Sequence, residues 1–297
     1  MNRVSGFQDA VDWKDFPLSS SAPFRVTSVA MMQNYQTLEL ERDGPVLRVW
    51  LNRPTRRNAI NPRMLSEVGD LFLSLQKDFD IRVVVLGGRG ASFCAGADRK
   101  APIPEEAMPP PSSEREQRWL THLGRRACRA IEDCEVVTIA RVHGHAIGGG
   151  CCLALSCDFR VAAQDSIFRV PEVDLGIPLT WAAVPRLLDE IGAARTRELV
   201  LLCGDVDADK ALAWGMIHRS AAPAALDVEV DSIVQTLLDK PELALHMAKT
   251  NLRGYARLRS LGDASEADGD LFKLAQGSAD FRQRFGMTPG SGSDDER

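Results

Sequence analysis

Residues 136–158 constrain this chain more than any other stretch. Val136-Val137-Thr138-Ile139-Ala140-Arg141-Val142 is apolar and β-branched, the character of a buried strand. After His143-Gly144-His145-Ala146-Ile147, three consecutive glycines (Gly148, Gly149 and Gly150) open an apolar run of helical character, Cys151-Cys152-Leu153-Ala154-Leu155. Glycines at the mouth of a helix leave backbone N–H groups bare and let a ligand oxygen approach closely. The helix dipole favours negative charge at that end. The segment therefore suits either an oxyanion or a phosphate. No Lys-Ser/Thr follows Gly148–Gly150, so the P-loop pattern fails. Gly87-Gly88-Arg89-Gly90 likewise lacks the spacing of a dinucleotide fingerprint.

Strand and helix signals alternate on either side. Val46–Leu51 reads as a strand ended by Asn52-Arg53-Pro54, and a helix follows with Asn61 as cap and Pro62 as first residue. Its apolar stripe, Met64, Leu65, Val68, Leu71, Phe72, Leu75 and Phe79, has the 3.6-residue period. Further strands are expected over 81–86, 136–142, 158–162 and 166–170, and helices over 116–131 and 149–156. From about residue 180 helices dominate: 180–191, 193–203, 208–215, 224–239 and 241–275. Alternating β and α followed by helices alone predicts an α/β core with a helical appendage. Residues 1–34 read as a poorly ordered extension, 286–297 as a disordered tail, and the proline-rich 101–116 as a long functional or mobile loop.

Bulk properties exclude several classes. A net charge of −5 argues against a dedicated nucleic-acid binder, and no apolar run approaches a membrane span. The seven cysteines are scattered, odd in number and without paired zinc-type spacing, so neither a metal site nor a disulfide framework is expected. Asp9, Asp12 and Asp15 count against a transit peptide, and no long apolar segment suggests a secretory signal, so a cytoplasmic location is expected.

Four segments carry the chemistry. They are Leu51-Asn52-Arg53-Pro54-x-x-Arg57-Asn58-Ala59, Ser92-Phe93-Cys94-Ala95-Gly96-Ala97-Asp98, the glycine segment, and Val170-Pro171-Glu172-Val173-Asp174-Leu175-Gly176-Ile177. In order and spacing they resemble the enoyl-CoA hydratase/isomerase (crotonase) superfamily over roughly residues 35–255. The resemblance implies a spiral of ββα units over 35–222, then a helical region over 223–285 that builds homotrimers or hexamers. It implies an acyl-CoA thioester as substrate, CoA entering with the substrate and no separate cofactor. It also implies that the amides of Ala97 and Gly149 stabilise an enolate at the thioester oxygen. Ala95, Asp98 and Gly148 fall beside those donors. Asp98 is expected to brace the loop, Arg57 and Lys100 to neutralise CoA phosphates, and Trp181 either to wall the acyl pocket or to pack in the core. In the family's C-terminal segment an aromatic and a lysine often reach a neighbouring subunit's CoA; here Asp280-Phe281-Arg282-Gln283-Arg284-Phe285 keeps the aromatic and basic character without the lysine.

The acid/base positions depart from the hydratase pattern. Hydratases of the family carry one glutamate just after the glycines and a second in the Pro-Glu segment. Here the second is Glu172, but the first position is Cys152. A thiol, with its ordinary pKa near 8.5, does not replace a carboxylate as proton acceptor for water. One carboxylate suffices to move a double bond, because it can take a proton from one carbon and return it to another. The pattern therefore resembles the family's isomerases, with Glu172 as the single base. Asp174 is read as a solvated or structural acid, and His143 and His145 as hydrogen-bonded turn residues. The alternatives are a hydratase, with Asp174 or a bound water covering for the absent glutamate, and a catalytically quiet acyl-CoA-binding protein.

Overall fold

The computed structural model describes residues 34–100, 103–259 and 267–285. The extension expected over 1–34, apart from Asn34, and the tail expected over 286–297 lie outside the described residues. In chain order the first elements are β1 (Leu38–Asp43), β2 (Val46–Leu51), α1 (Pro62–Leu75), β3 (Val83–Gly88), α2 (Glu114–Thr121) and α3 (Leu123–Asp133). β4 (Val137–Val142), β5 (His145–Ile147), α4 (Gly149–Leu155), β6 (Phe159–Ala163) and β7 (Ile167–Arg169) follow. The rest are α5 (Ala183–Leu202), β8 (Val206–Asp207), α6 (Ala208–Trp214), β9 (Arg219–Ala221), α7 (Leu226–Leu238), α8 (Glu242–Arg259), α9 (Asp268–Gln276) and α10 (Ala279–Arg284).

One sheet has the order β1-β2-β3-β4-β6-β9, and a smaller one the order β5-β7-β8. The β1–β2 hairpin is antiparallel, whereas β2, β3, β4, β6 and β9 pair in parallel. A parallel strand covered on both faces reads as a continuous apolar run, and β3 fits that rule. Val84 and Leu86 join the core shared with α1 and α3, while Val83 and Val85 face Leu226, Val230 and Ile233 of α7.

α1 starts where its cap predicts, the Asn61 side chain accepting from the Met64 N–H at 2.8 Å. Met64, Leu65, Val68, Leu71, Phe72 and Leu75 are buried, each contributing about 1.5–3 kcal/mol through loss of water contact. Phe79 does not continue the stripe: the helix ends at Leu75 and Phe79 is 77% exposed. The helix expected over 116–131 is two. His122, at φ −96° and ψ 1°, separates α2 from α3, and Ser113 caps α2 by accepting from Glu116. The helices expected over 180–191 and 193–203 join as α5 across a kink at Gly192. The long helix expected over 241–275 divides into α8 and α9, with residues 260–266 outside the described residues. Among the described residues no helix is long and apolar enough to cross a membrane, and no group of three or more His, Cys, Asp or Glu is placed to hold a metal ion.

Candidate active site

Three loops meet where the two sheets adjoin. Residues 93–98 run alongside β5: the Phe93 N–H donates to the His143 carbonyl (2.8 Å), the Cys94 N–H to that of His145 (2.9 Å), and the Ile147 N–H to that of Cys94 (3.0 Å). On its other side the same segment bridges Ile60, whose N–H donates to the Gly96 carbonyl at 2.7 Å while the Asp98 N–H donates to the Ile60 carbonyl at 2.8 Å. A trans peptide holds a carbonyl and the following N–H in opposite directions. The Gly96 carbonyl is turned to Ile60, so the Ala97 N–H points the other way, towards the β5 side. The same reasoning applies to the glycine segment. The Gly148 carbonyl accepts from the Cys152 N–H inside α4 at 3.0 Å, so the Gly149 N–H points out of the helix mouth. α4 has only seven residues. Its dipole is correspondingly small, and an anion there would be held by the N–H groups themselves.

Each of the three glycines makes room for a different neighbour. A Cβ on Gly148 would lie 2.7 Å from Oε1 of Glu172, and one on Gly149 would lie 2.4 Å from Cζ3 of Trp181. A Cβ on Gly150 would lie 2.6 Å from the Cys94 carbonyl oxygen. Gly148 also has φ +51°, a conformation L side chains rarely adopt. The triplet thus packs the base candidate, an indole and the second loop around one short helix.

Glu172 follows Pro171, and its carbonyl accepts from the Leu175 and Ile177 N–H groups, each at 3.0 Å. The turn closes at Gly176 with φ +74°. This arrangement directs the side chain inward against Gly148. Its Oε2 is buried without a hydrogen-bond partner among the described residues, and burial pushes the carboxyl pKa up to about 7. Asp174 is turned to the surface: its side chain is 52% exposed and accepts from Arg169 at 3.0 Å. Cys152 is 2% exposed. Burial, then the neighbouring Cys128 and Glu172, pushes its thiol pKa well above the ordinary value. His143 contacts the Gly90 carbonyl in the turn, whereas His145, expected in the turn, opens β5 and contacts the Ser92 hydroxyl.

Asp98 lies inside a network that sequence reasoning did not assemble. Arg53, whose side chain is 1% exposed, donates to Asp98 at 2.7 Å and to Glu106 at 2.7 Å, and also bonds the Ala59 carbonyl. Asn61, the α1 cap, donates to Glu106 as well. Burial works to raise the Asp98 pKa, but hydrogen bonds from Arg53 and the Lys100 N–H outweigh it and hold the carboxyl below its usual range. Arg53 thus ties the 96–98 loop to α1 and to the proline-rich segment. Its sequence signal was slight, because Asn52-Arg53-Pro54 reads simply as a strand stop, and Glu106 sits in a loop without periodicity.

Of the remaining expected residues, Ala95 is anchored by donating its N–H to the Arg57 carbonyl at 3.0 Å, while the Arg57 and Lys100 side chains are exposed. Trp181 packs against the main core, and its ring crosses Gly149. The Phe281–Phe285 segment lies on this chain's own loops. A Cβ on Gly176 would meet the Phe281 N at 3.2 Å, and Arg99 stacks on the Phe285 ring at 4.5 Å.

The model of one protein family, Enoyl-CoA hydratase/isomerase, matches residues 41–289, most of the chain. The chain belongs to that family. It is 32% identical over 255 residues to the crotonyl-CoA hydratase of Syntrophomonas wolfei, covering 86% of this chain and 94% of that protein. Among solved structures it is similar to a Thermobifida fusca putative enoyl-CoA hydratase in complex with CoA (29% identity, TM-score 0.67, 84% and 96% of the two chains). It is also similar to a monofunctional enoyl CoA isomerase from M. smegmatis (27% identity, TM-score 0.62, 76% and 97%). The fold is the crotonase fold, and the protein is an acyl-CoA enzyme of the hydratase/isomerase class.

Proposed function

We propose that this family member is an enoyl-CoA isomerase, shifting a double bond between the 3- and 2-positions of an acyl-CoA thioester. The observation that carries this reading is the carboxylate facing Gly148: the Oε2 of Glu172 is buried without a hydrogen-bond partner among the described residues, while the position one helical turn into α4 holds the buried Cys152 thiol. The Ala97 and Gly149 amides hold the thioester oxygen. Enolisation places charge on that oxygen, and each preorganised donor is worth about 3–4 kcal/mol to the transition state. Glu172, as carboxylate, takes a proton from C2, giving a planar dienolate, and as carboxylic acid returns it to C4. Its pKa of about 7 suits both halves of that cycle, since base and conjugate acid are then similarly populated at neutral pH. The exposed Arg57 and Lys100 meet the CoA phosphates.

Adding water to a 2-enoyl thioester requires an acceptor for the water proton in addition to a donor to carbon. The Cys152 thiol is protonated and Asp174 is engaged with Arg169 at the surface, so neither supplies it. The hydratase reading rests on the names of relatives, among them the crotonyl-CoA hydratase of Syntrophomonas wolfei and a short-chain-enoyl-CoA hydratase of Clostridium acetobutylicum, rather than on a second carboxylate in this chain. The test is to supply a 3-enoyl-CoA and follow the appearance of the conjugated 2-enoyl thioester as a function of pH. Because Glu172 must start ionised, kcat/KM is expected to rise about tenfold per pH unit below neutrality and to level off above about 7. No conversion at any pH would refute the proposal.

A further inference from the structure

Trp181 and Ala182 are consecutive non-glycine residues in the left-handed region, with φ +62° and +57°. Such conformations are strained for residues with a side chain and persist only where the surroundings over-determine them. Here three contacts do so. Arg186 donates to the Trp181 carbonyl at 3.0 Å and to the Ala182 carbonyl at 2.9 Å, and is itself held by Glu132 of α3 at 2.5 Å. From α9, Asp268 accepts the Ala182 N–H at 2.7 Å.

The strained turn sets the indole between two helices that have no side chain to offer there. A Cβ on Gly149 would lie 2.4 Å from the ring, and one on Gly124 of α3 only 1.9 Å from Cε2. The ring therefore plugs the gap between α3 and α4 beside the thioester position. An acyl chain whose thioester oxygen sits at Gly149 therefore starts beside the indole.

Resting on the thioester site of the proposed function, we propose that Trp181 is the specificity-determining residue of this enzyme and restricts it to short acyl chains. Glu132, Arg186 and Asp268 are positioning residues that hold the turn.

The test compares the wild type with Trp181→Ala and, should that variant fail to fold, Trp181→Phe. Two quantities are measured at two chain lengths: kcat/KM for four- and ten-carbon 3-enoyl-CoA, and the Kd of the unreactive saturated butyryl- and decanoyl-CoA. The wild type is expected to favour the four-carbon thioester at least tenfold in both. Trp181→Ala is expected to raise the ten-to-four-carbon ratio at least tenfold, with a smaller rise for Trp181→Phe, in line with the discrimination a few methylenes allow in an apolar pocket. A wild type that prefers the ten-carbon chain, or a ratio the variants leave unmoved, would overturn the assignment. Because the saturated thioesters report binding without turnover, absence of isomerisation would count against the proposed reaction while the Kd ratio still decides the role of Trp181.

Discussion

Glu172→Gln is expected to lower the isomerisation kcat by about 10³-fold while leaving the Kd for an unreactive acyl-CoA within a few-fold of wild type. The amide keeps the shape of the side chain against Gly148 but cannot accept a proton, and a positioned acid/base group contributes about 10²–10⁴-fold. The same substitution should stabilise the fold at high pH. Glu172 titrates near 7 when folded against an ordinary 4.5. Between those values the folded protein keeps a proton that the unfolded chain has lost, so stability falls as pH rises through that window and stays lower above it. Gln carries no such penalty, although its amide remains a buried polar group. Glu172→Gln should therefore gain about 1–3 kcal/mol at pH 8 and little at pH 4. Circular-dichroism melts at the two pH values, alongside steady-state rates, check both halves. A variant that keeps its rate, or that loses stability at pH 8, would separate Glu172 from the role given to it.

Cys152→Glu is expected to raise hydration of a 2-enoyl-CoA at least 10²-fold. Cys152 is one helical turn into α4, buried, and close enough to Glu172 for that carboxylate to help raise the thiol pKa. A glutamate there would give the site its second carboxylate, and Glu172 and the newcomer could divide the work of activating water and protonating carbon. Two adjacent carboxylates push one pKa up, and nearby Arg186 moderates the effect. The larger, charged side chain in a packed position should also lower stability by a few kcal/mol. The measurement is hydration rate per folded enzyme, with the folded fraction fixed by thermal melting. A wild type that already hydrates rapidly, with no gain in the variant, would show that water activation in this site does not need a carboxylate at position 152.

The elements with the strongest local chemistry were legible before the fold was known. The Asn61-Pro62 start of α1 and the strand–glycine–helix passage from β4 to α4 each depend on a few neighbouring residues. The lapses occur where long-range packing decides. β1, β8 and β9 carry little signal of their own and exist because a partner edge is present. Phe79 fits the helical period, but Gln76 already ends α1, so the periodicity outruns the helix. Within the site, the glycine and Pro-Glu segments announce themselves, because backbone approach and a buried acid require those residue types. The Arg53–Glu106–Asn61 link does not, since its partners come from a strand end, a helix cap and an aperiodic loop. The separate jobs of the three glycines were equally hidden, because a missing Cβ does not say whose atoms will fill the space.

The central claim is that one carboxylate beside two backbone donors moves a proton rather than adding water. Its most direct test is a head-to-head assay of one enzyme preparation, comparing isomerisation of a four-carbon 3-enoyl-CoA with hydration of the corresponding 2-enoyl-CoA at pH 8. Isomerisation is predicted to exceed hydration by about 10² or more, the contribution ordinarily supplied by a second acid/base group. Hydration equal to or faster than isomerisation would contradict the account.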